Sequence, residues 1–179
     1  MRKTIIVLLI VLSAFSAFAA KQVVSFKCNP WASQISTSSD EPVYKVQSDW
    51  GNGAEASYKR YLTDYAFVTG GISYTGCSLP EGRPLFTSLM PFAGAGAECH
   101  VCDFFKVSVN AGLGLDSLIY DKLVSESITI KTGASVDFYL TDKAEFALGC
   151  DATFGFAEKT KTKYTNYRIL PTVGFNVEL

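Results

Sequence analysis

The stretch Phe105-Lys106-Val107-Ser108-Val109-Asn110-Ala111-Gly112-Leu113-Gly114-Leu115-Asp116 decides the fold. Its apolar residues occupy the odd positions, and polar residues or glycines the even ones. A β-strand points successive side chains to opposite faces, so this period of two gives one apolar and one polar face. An amphipathic helix would bring apolar residues back every three or four positions.

Three later stretches repeat the pattern. Ile128, Ile130, Thr132, Ala134, Val136, Phe138 and Leu140 interleave with Thr129, Lys131, Gly133, Ser135, Asp137 and Tyr139. Phe146, Leu148, Cys150, Ala152, Phe154 and Phe156 oppose Glu145, Ala147, Gly149, Asp151, Thr153 and Gly155. Tyr167, Ile169, Pro171, Val173, Phe175, Val177 and Leu179 alternate with Arg168, Leu170, Thr172, Gly174, Asn176 and Glu178. Each runs for a dozen residues or more, past the usual strand of about five or six. Crossing a bilayer at a tilt takes about 9–11.

Upstream the alternation is looser but keeps the same plan. Leu89, Pro91, Ala93, Ala95 and Ala97 oppose Gly94, Gly96, Glu98 and His100. Ala66, Val68, Ile72 and Tyr74 oppose Phe67, Thr69, Gly71, Ser73 and Thr75. Trp50, Ala54, Ala56, Tyr58 and Leu62 oppose Gly51, Gly53, Glu55, Ser57, Lys59 and Tyr61. The first of eight strands is placed at Gln22–Cys28.

An internal repeat orders these strands. Tyr61-Leu62-Thr63-Asp64 recurs as Tyr139-Leu140-Thr141-Asp142, with His100-Val101-Cys102-Asp103 between them. The aspartates are 39 apart each time (103 − 64 and 142 − 103). Each is read as a tight turn, which Asp suits because its side chain can bond nearby backbone. Longer polar connections, Asn29–Pro42, Cys77–Pro84, Tyr120–Ser125 and Glu158–Thr165, lie at the opposite ends. Short turns at one end and longer loops at the other are the layout of outer-membrane barrels.

Periodicity does not say which face points inward. A soluble lipocalin-like barrel would line a cavity with the apolar face, whereas a membrane barrel turns that face to lipid. Glycines at many polar positions suit a crowded eight-stranded interior. Aromatics near strand ends suit interfacial girdles: Trp50, Tyr74, Phe154, Phe156 and Tyr167 toward the loops, Phe105, Phe138, Phe146 and Phe175 toward the turns. The chain also stops on an amphipathic strand. These features favour the membrane.

The start of the chain agrees. Arg2 and Lys3 precede an apolar run, Ile5 to Leu12, that leads to Ala17-Phe18-Ala19. A basic start, a short apolar stretch and an A-x-A site make a secretory signal peptide over 1–19, leaving a single barrel domain over 20–179. Without Arg2 and Lys3 the chain carries 14 basic residues (16 − 2) against 17 acidic, about three net negative charges, which argues against a nucleic-acid partner.

The last strand carries a family resemblance. Thr172, Gly174, Val177 and Leu179 fit the polar, glycine, apolar, apolar spacing of the C-terminal signal read by outer-membrane assembly machinery; Leu179 stands where an aromatic is usual. The mature chain resembles small outer-membrane barrels of the OmpA-transmembrane, OmpX and OmpW type. The resemblance implies an all-β, eight-stranded antiparallel up-and-down transmembrane barrel with short periplasmic turns and longer extracellular loops, in contact with outer-membrane lipids. Such barrels include anchors, adhesins, small channels and lipid-modifying enzymes, so fold alone does not assign function.

The repeat sets the interior charges. Lys59, Glu98 and Asp137 each lie five residues before a turn aspartate, and Lys106 and Glu145 three after one. These five, with His100, are expected at one height near the turn end. They read as a salt-bridged plug, since eight strands leave room for little but side chains; the competing reading is a gate or proton path in a small channel for solutes or apolar molecules.

Cys99-His100-x-Cys102 invites a metal, but alternation sends Cys99 outward and His100 inward, so no metal or cofactor is expected. Cys28 and Cys77, both near the loop rim, are a candidate disulfide. Lys159, Lys161 and Lys163 offer contact with anionic lipopolysaccharide or a host surface, although a solvated loop explains them as well. Ser33–Asp40 reads as a flexible surface segment. A lipid-trimming enzyme would need Ser, His and an acid at the loop rim. The single histidine, His100, is placed at the other end, so catalysis is not expected.

Overall fold

The computed structural model describes residues 21–30, 33–38, 44–47, 51–77, 86–120, 123–159 and 162–179. The signal peptide assigned to 1–19, Trp50 and Lys161 lie outside them. Ten strands follow in order: β1 (Gln22–Asn29), β2 (Ser33–Ser38), β3 (Tyr44–Gln47), β4 (Gly51–Tyr61), β5 (Ala66–Cys77), β6 (Phe86–Cys102), β7 (Phe105–Tyr120), β8 (Leu123–Thr141), β9 (Ala144–Lys159) and β10 (Thr162–Glu178). From β4 onward each strand pairs antiparallel with the next, and β1 pairs with both β4 and β10 to close the sheet.

The barrel has eight walls because two of them are interrupted. β1 pairs with the lower part of β10, and β2 takes its place along the upper part. β3 pairs with β2 and precedes β4 in the chain. Cys28 faces Val173 and Ser33 faces Ile169, so five steps on the first wall (33 − 28) match four on β10 (173 − 169). One extra residue, a bulge, separates β1 from β2.

The register fixes the stagger of the barrel. The inward positions Val23, Lys59, Thr69, Gly94, Gly112, Lys131, Thr153 and Arg168 are successive partners around the wall. Arg168 then returns to the first wall at Gln34, 11 residues above Val23, or 10 once the bulge is subtracted. Eight strands with that stagger tilt by roughly 40–45°, which leaves a lumen just wide enough for side chains.

The strands run further toward the loop end than alternation indicates. Ser33–Asp40, expected to be a flexible segment, contributes β2. The connections expected at Tyr120–Ser125 and Glu158–Thr165 shrink to the short links between β7 and β8 and between β9 and β10. Most of Cys77–Pro84 lies outside the described residues. Where both faces of a strand meet water, no apolar–polar alternation is needed to mark its course, yet the neighbouring strand still offers hydrogen bonds.

Both turn assignments at Asp64 and Asp142 hold, but the turn chemistry differs from expectation. Thr63 Oγ1 accepts from the amides of Tyr65 (3.2 Å) and Ala66 (3.0 Å), and Thr141 Oγ1 from those of Lys143 (3.2 Å) and Ala144 (3.0 Å). Threonine, one position before each aspartate, therefore fastens the turn.

The apolar face points outward. Leu113, Leu115 and Ile128 are all more than 60% exposed, whereas Lys131, Asp137 and Asp151 are at most 2%. No soluble lipocalin-like barrel has this arrangement. Aromatic pairs sit at both ends of the apolar band: Phe105 on Phe138 and Phe146 on Phe175 toward the turns, Phe154 on Tyr167 toward the loops. The interior also holds Phe67, Met90 and Leu170, apolar residues at inward positions. Gly96 makes room for Phe67, since a Cβ there would overlap the ring.

Candidate functional site: the charged lumen

Inward positions of every wall but that of β5 supply a column of charges at three heights. Nearest the turns, Lys106 Nζ lies 3.0 Å from Glu98 Oε2 and 2.7 Å from Glu145 Oε1. Tyr61 donates its hydroxyl to Glu98 Oε2 at 2.5 Å, and Asn176 Nδ2 donates to Glu145 Oε2 at 3.0 Å. His100 stands at the rim, its Nδ1 2.5 Å from the Tyr139 hydroxyl and its ring stacked on Tyr139. Its Nε2 is 3.8 Å from Glu98 Oε1.

The structure places Glu98, His100, Lys106 and Glu145 together at this end. Lys59 and Asp137 share the region but not the network. Asp137 accepts from Ser108 (3.3 Å) and Ser135 (2.8 Å), while the Lys59 ammonium lies over the Phe67 ring at 5.2 Å. Neither makes an ion pair with a described residue. Spacing fixed their height, but not how far each side chain reaches across the lumen.

A second group, absent from the sequence reading, occupies the middle of the barrel. Lys131 Nζ bonds Glu55 Oε2 (2.6 Å) and Asp151 Oδ2 (2.8 Å), and Lys27 Nζ approaches the same two carboxylates at 3.7 Å each. Two cations and two anions thus form a closed square, with Lys131 also 4.3 Å from the centre of the Phe92 ring. Gly133 allows this approach, because a Cβ there would meet Asp151 Oδ1.

Toward the loops, Arg168 bonds Asp116 and donates to Ser88 Oγ (2.7 Å), which in turn donates to Asp116 Oδ1 (2.5 Å). The middle and upper groups lie outside the 39-residue repeat, so no spacing rule marked them. The available signal was a charged residue at an inward position of an alternating strand: Lys131, Asp151, Asp116 and Arg168 all satisfy it.

Burial makes these contacts consequential. A paired charge out of water costs several kcal/mol to desolvate, which its partners must offset, and removing one partner leaves an uncompensated ion. Lys106, Lys131, Asp116, Asp137, Asp151 and Arg168 are all at most 3% exposed.

The positions of the terminal assembly signal split by face. Thr172 and Gly174 point inward, and Val177 and Leu179 outward. The same strand closes the barrel against β1, with the Leu179 amide donating to the Gln22 carbonyl at 3.0 Å.

Other sequence candidates are dispersed. Cys28 is an unpaired thiol, and its register partners place it level with Ala54 and Tyr74, two walls away from β5, which ends at Cys77. Strands two apart are roughly 10 Å from each other, beyond disulfide reach, so the Cys28–Cys77 bridge is not formed. Cys99 lies exposed, its Sγ directed at the His100 carbonyl, and Cys102 stands at the turn. Lys159 belongs to β9 and Lys163 to β10, opposite Thr162 and Glu158 respectively, so these lysines are strand residues and not a single loop run.

No protein-family model matches the chain, and no curated protein matches it in sequence. Solved structures do match. Neisserial surface protein A superposes with a TM-score of 0.66 at 16% identity, covering 88% of this chain and 97% of that one. The outer membrane protein OprG from Pseudomonas aeruginosa gives 0.55 at 10% identity, covering 90% and 97%. With its closed eight-walled sheet, apolar exterior and charged interior, the chain has the fold of the small outer-membrane β-barrels.

Proposed function

We propose that this protein is a closed, non-conducting and non-catalytic barrel with a structural or surface-interaction role, its lumen plugged by its own polar and charged side chains. One observation carries the reading: cations bound to carboxylates bridge the interior at three heights, through Lys106, the Lys27–Lys131 square and Arg168. A permeating ion would have to separate buried pairs at each level, and parting even one costs about 3–5 kcal/mol.

The strand extensions support action at the surface. β8 carries five residues above Ile128, from Leu123 to Ser127, and β2 and β3 raise the first two walls on the same side. A stiff paired rim beyond the lipid offers a platform to partners outside the cell. Lys159, Lys161 and Lys163 are its candidate contacts for lipopolysaccharide or a host anion. Thr172, Gly174, Val177 and Leu179 are the candidate contacts for the assembly machinery.

Planar-bilayer recording on refolded protein tests the plug. The expected result is no steady single-channel conductance in the wild type. Reproducible conductance would instead establish the small-channel reading.

A further inference from the structure

Arg60 is a cation on the apolar outer face of the barrel. Along β4, Ala54, Ala56 and Tyr58 are exposed on that face, whereas Lys59 and Tyr61 are buried inside. The register with β1 and β5 runs through this stretch without a bulge, so Arg60 points outward, between Gln22 and Val68. It is nevertheless only 7% exposed, and its Nε and Nη2 are buried with no hydrogen-bond partner among the described residues.

Its height is that of the membrane boundary. Arg60 lies four residues before Asp64, as Phe138 lies four before Asp142 (64 − 60 and 142 − 138). Phe138 packs on Phe105 in the aromatic girdle toward the turns, where hydrocarbon gives way to headgroups. A guanidinium cannot shed its charge, and donors taken out of water need an acceptor. The two strand neighbours, Gln22 and Val68, carry no charge to supply one.

We propose that Arg60 is a binding site for the phosphodiester of an anionic phospholipid in the leaflet at the turn end. The pair of unpartnered nitrogens is what such a ligand requires. Nε and Nη2 form one edge of the guanidinium, and their two N–H bonds run side by side, matching two phosphate oxygens. Gln22 adds a donor beside them: its Oε1 accepts the Tyr58 hydroxyl at 2.7 Å, which leaves its amide nitrogen to donate. Tyr58, two residues toward the midplane and 37% exposed, offers its ring to the upper part of an acyl chain. A zwitterionic headgroup brings its own cation to the phosphate, so a headgroup without one, such as that of phosphatidylglycerol, is the stronger partner. The site lies on the outer face and does not depend on whether the lumen is plugged.

Refolded full barrels of wild type, Arg60→Gln and Lys143→Gln would be unfolded in urea in vesicles of phosphatidylcholine, with and without phosphatidylglycerol. Lys143, an exposed cation at the β8–β9 turn, controls for the loss of one positive charge at the same end. The wild type is expected to gain about tenfold in folding equilibrium from phosphatidylglycerol, the low end for a charge-assisted hydrogen bond. Lys143→Gln should keep that gain and Arg60→Gln should lose it. If Arg60→Gln fails to fold, Arg60→Lys, which keeps the charge without the paired N–H edge, decides by the same comparison. Inorganic phosphate added to phosphatidylcholine vesicles should give no such gain; an equal gain would assign a soluble anion and overturn the lipid. An equal response to phosphatidylglycerol in wild type and Arg60→Gln would overturn the site, whether or not the barrel conducts.

Discussion

Replacing Lys131 with methionine isolates the middle of the lumen. Lys131 binds Glu55 at 2.6 Å and Asp151 at 2.8 Å and is 2% exposed, so Lys131→Met keeps most of the side-chain volume and removes the charge. Breaking a buried pair costs about 3–5 kcal/mol. Lys27 remains 3.7 Å from each carboxylate and can move closer to offset part of that, which places the expected loss near the low end, about 3 kcal/mol. For a urea dependence of roughly 1–3 kcal/mol per molar, the midpoint should fall by about 1–3 M. Lys27→Met should cost less, because its contacts are longer and Lys131 still holds both anions. Removing charge in matched fashion, Lys131→Met with Asp151→Leu, should recover much of the loss. Equilibrium urea unfolding in lipid vesicles, followed by tryptophan fluorescence, measures all four proteins. A Lys131→Met barrel within 1 kcal/mol of wild type, or a costlier Lys27→Met, would refute the square as a unit of mutually dependent charges.

Val109, 52% exposed on the outer face, should cost about 2–4 kcal/mol when changed to arginine near the midplane, read as loss of folded barrel on unheated gels. Gly96→Val drives a side chain into Phe67 and should destabilise by about 1–3 kcal/mol in the urea assay. Thr141→Val removes the acceptor for two turn amides and should cost about 1 kcal/mol, visible as faster hydrogen exchange at Lys143 and Ala144. Exchanging Lys106→Glu with Glu145→Lys should restore little of the stability lost by either change alone, because the new carboxylate would stand against Glu98, now 3.0 Å from Lys106; full recovery in urea would show that Glu98 is not part of the network.

The turn-end cluster was legible because it rode on a repeat. A spacing of 39 residues puts equivalent positions of successive hairpins at one height, so Glu98, Lys106 and Glu145 could be grouped before any coordinates. The same rule grouped Lys59 and Asp137 with them and said nothing about reach. Asp137 finds two serines on its own and the adjoining wall, and Lys59 lies along an aromatic ring, choices set by neighbours that spacing does not name. The Lys27–Glu55–Lys131–Asp151 square was hidden for another reason. Its members lie 28, 76 and 20 residues apart along the chain (55 − 27, 131 − 55 and 151 − 131). Lys27 and Glu55 face each other across β1 and β4, and Lys131 and Asp151 lie on the neighbouring β8 and β9; the closure and stagger of the sheet bring the two pairs level across the lumen.

By itself the sequence determined which residues share a face, how many walls the barrel has and where the tight turns fall. Each of these follows from contacts between near neighbours: pleat, hairpin and turn. Tertiary structure decided which face meets lipid, since a period of two is the same for a barrel lined or coated with apolar side chains. It also decided the continuation of the walls above the membrane, where water on both sides erases the alternation that marks a strand. And it decided the partners that meet across the lumen, such as Lys131 with Glu55 and Arg168 with Asp116, because those walls are joined by the closure of the sheet and not by distance along the chain.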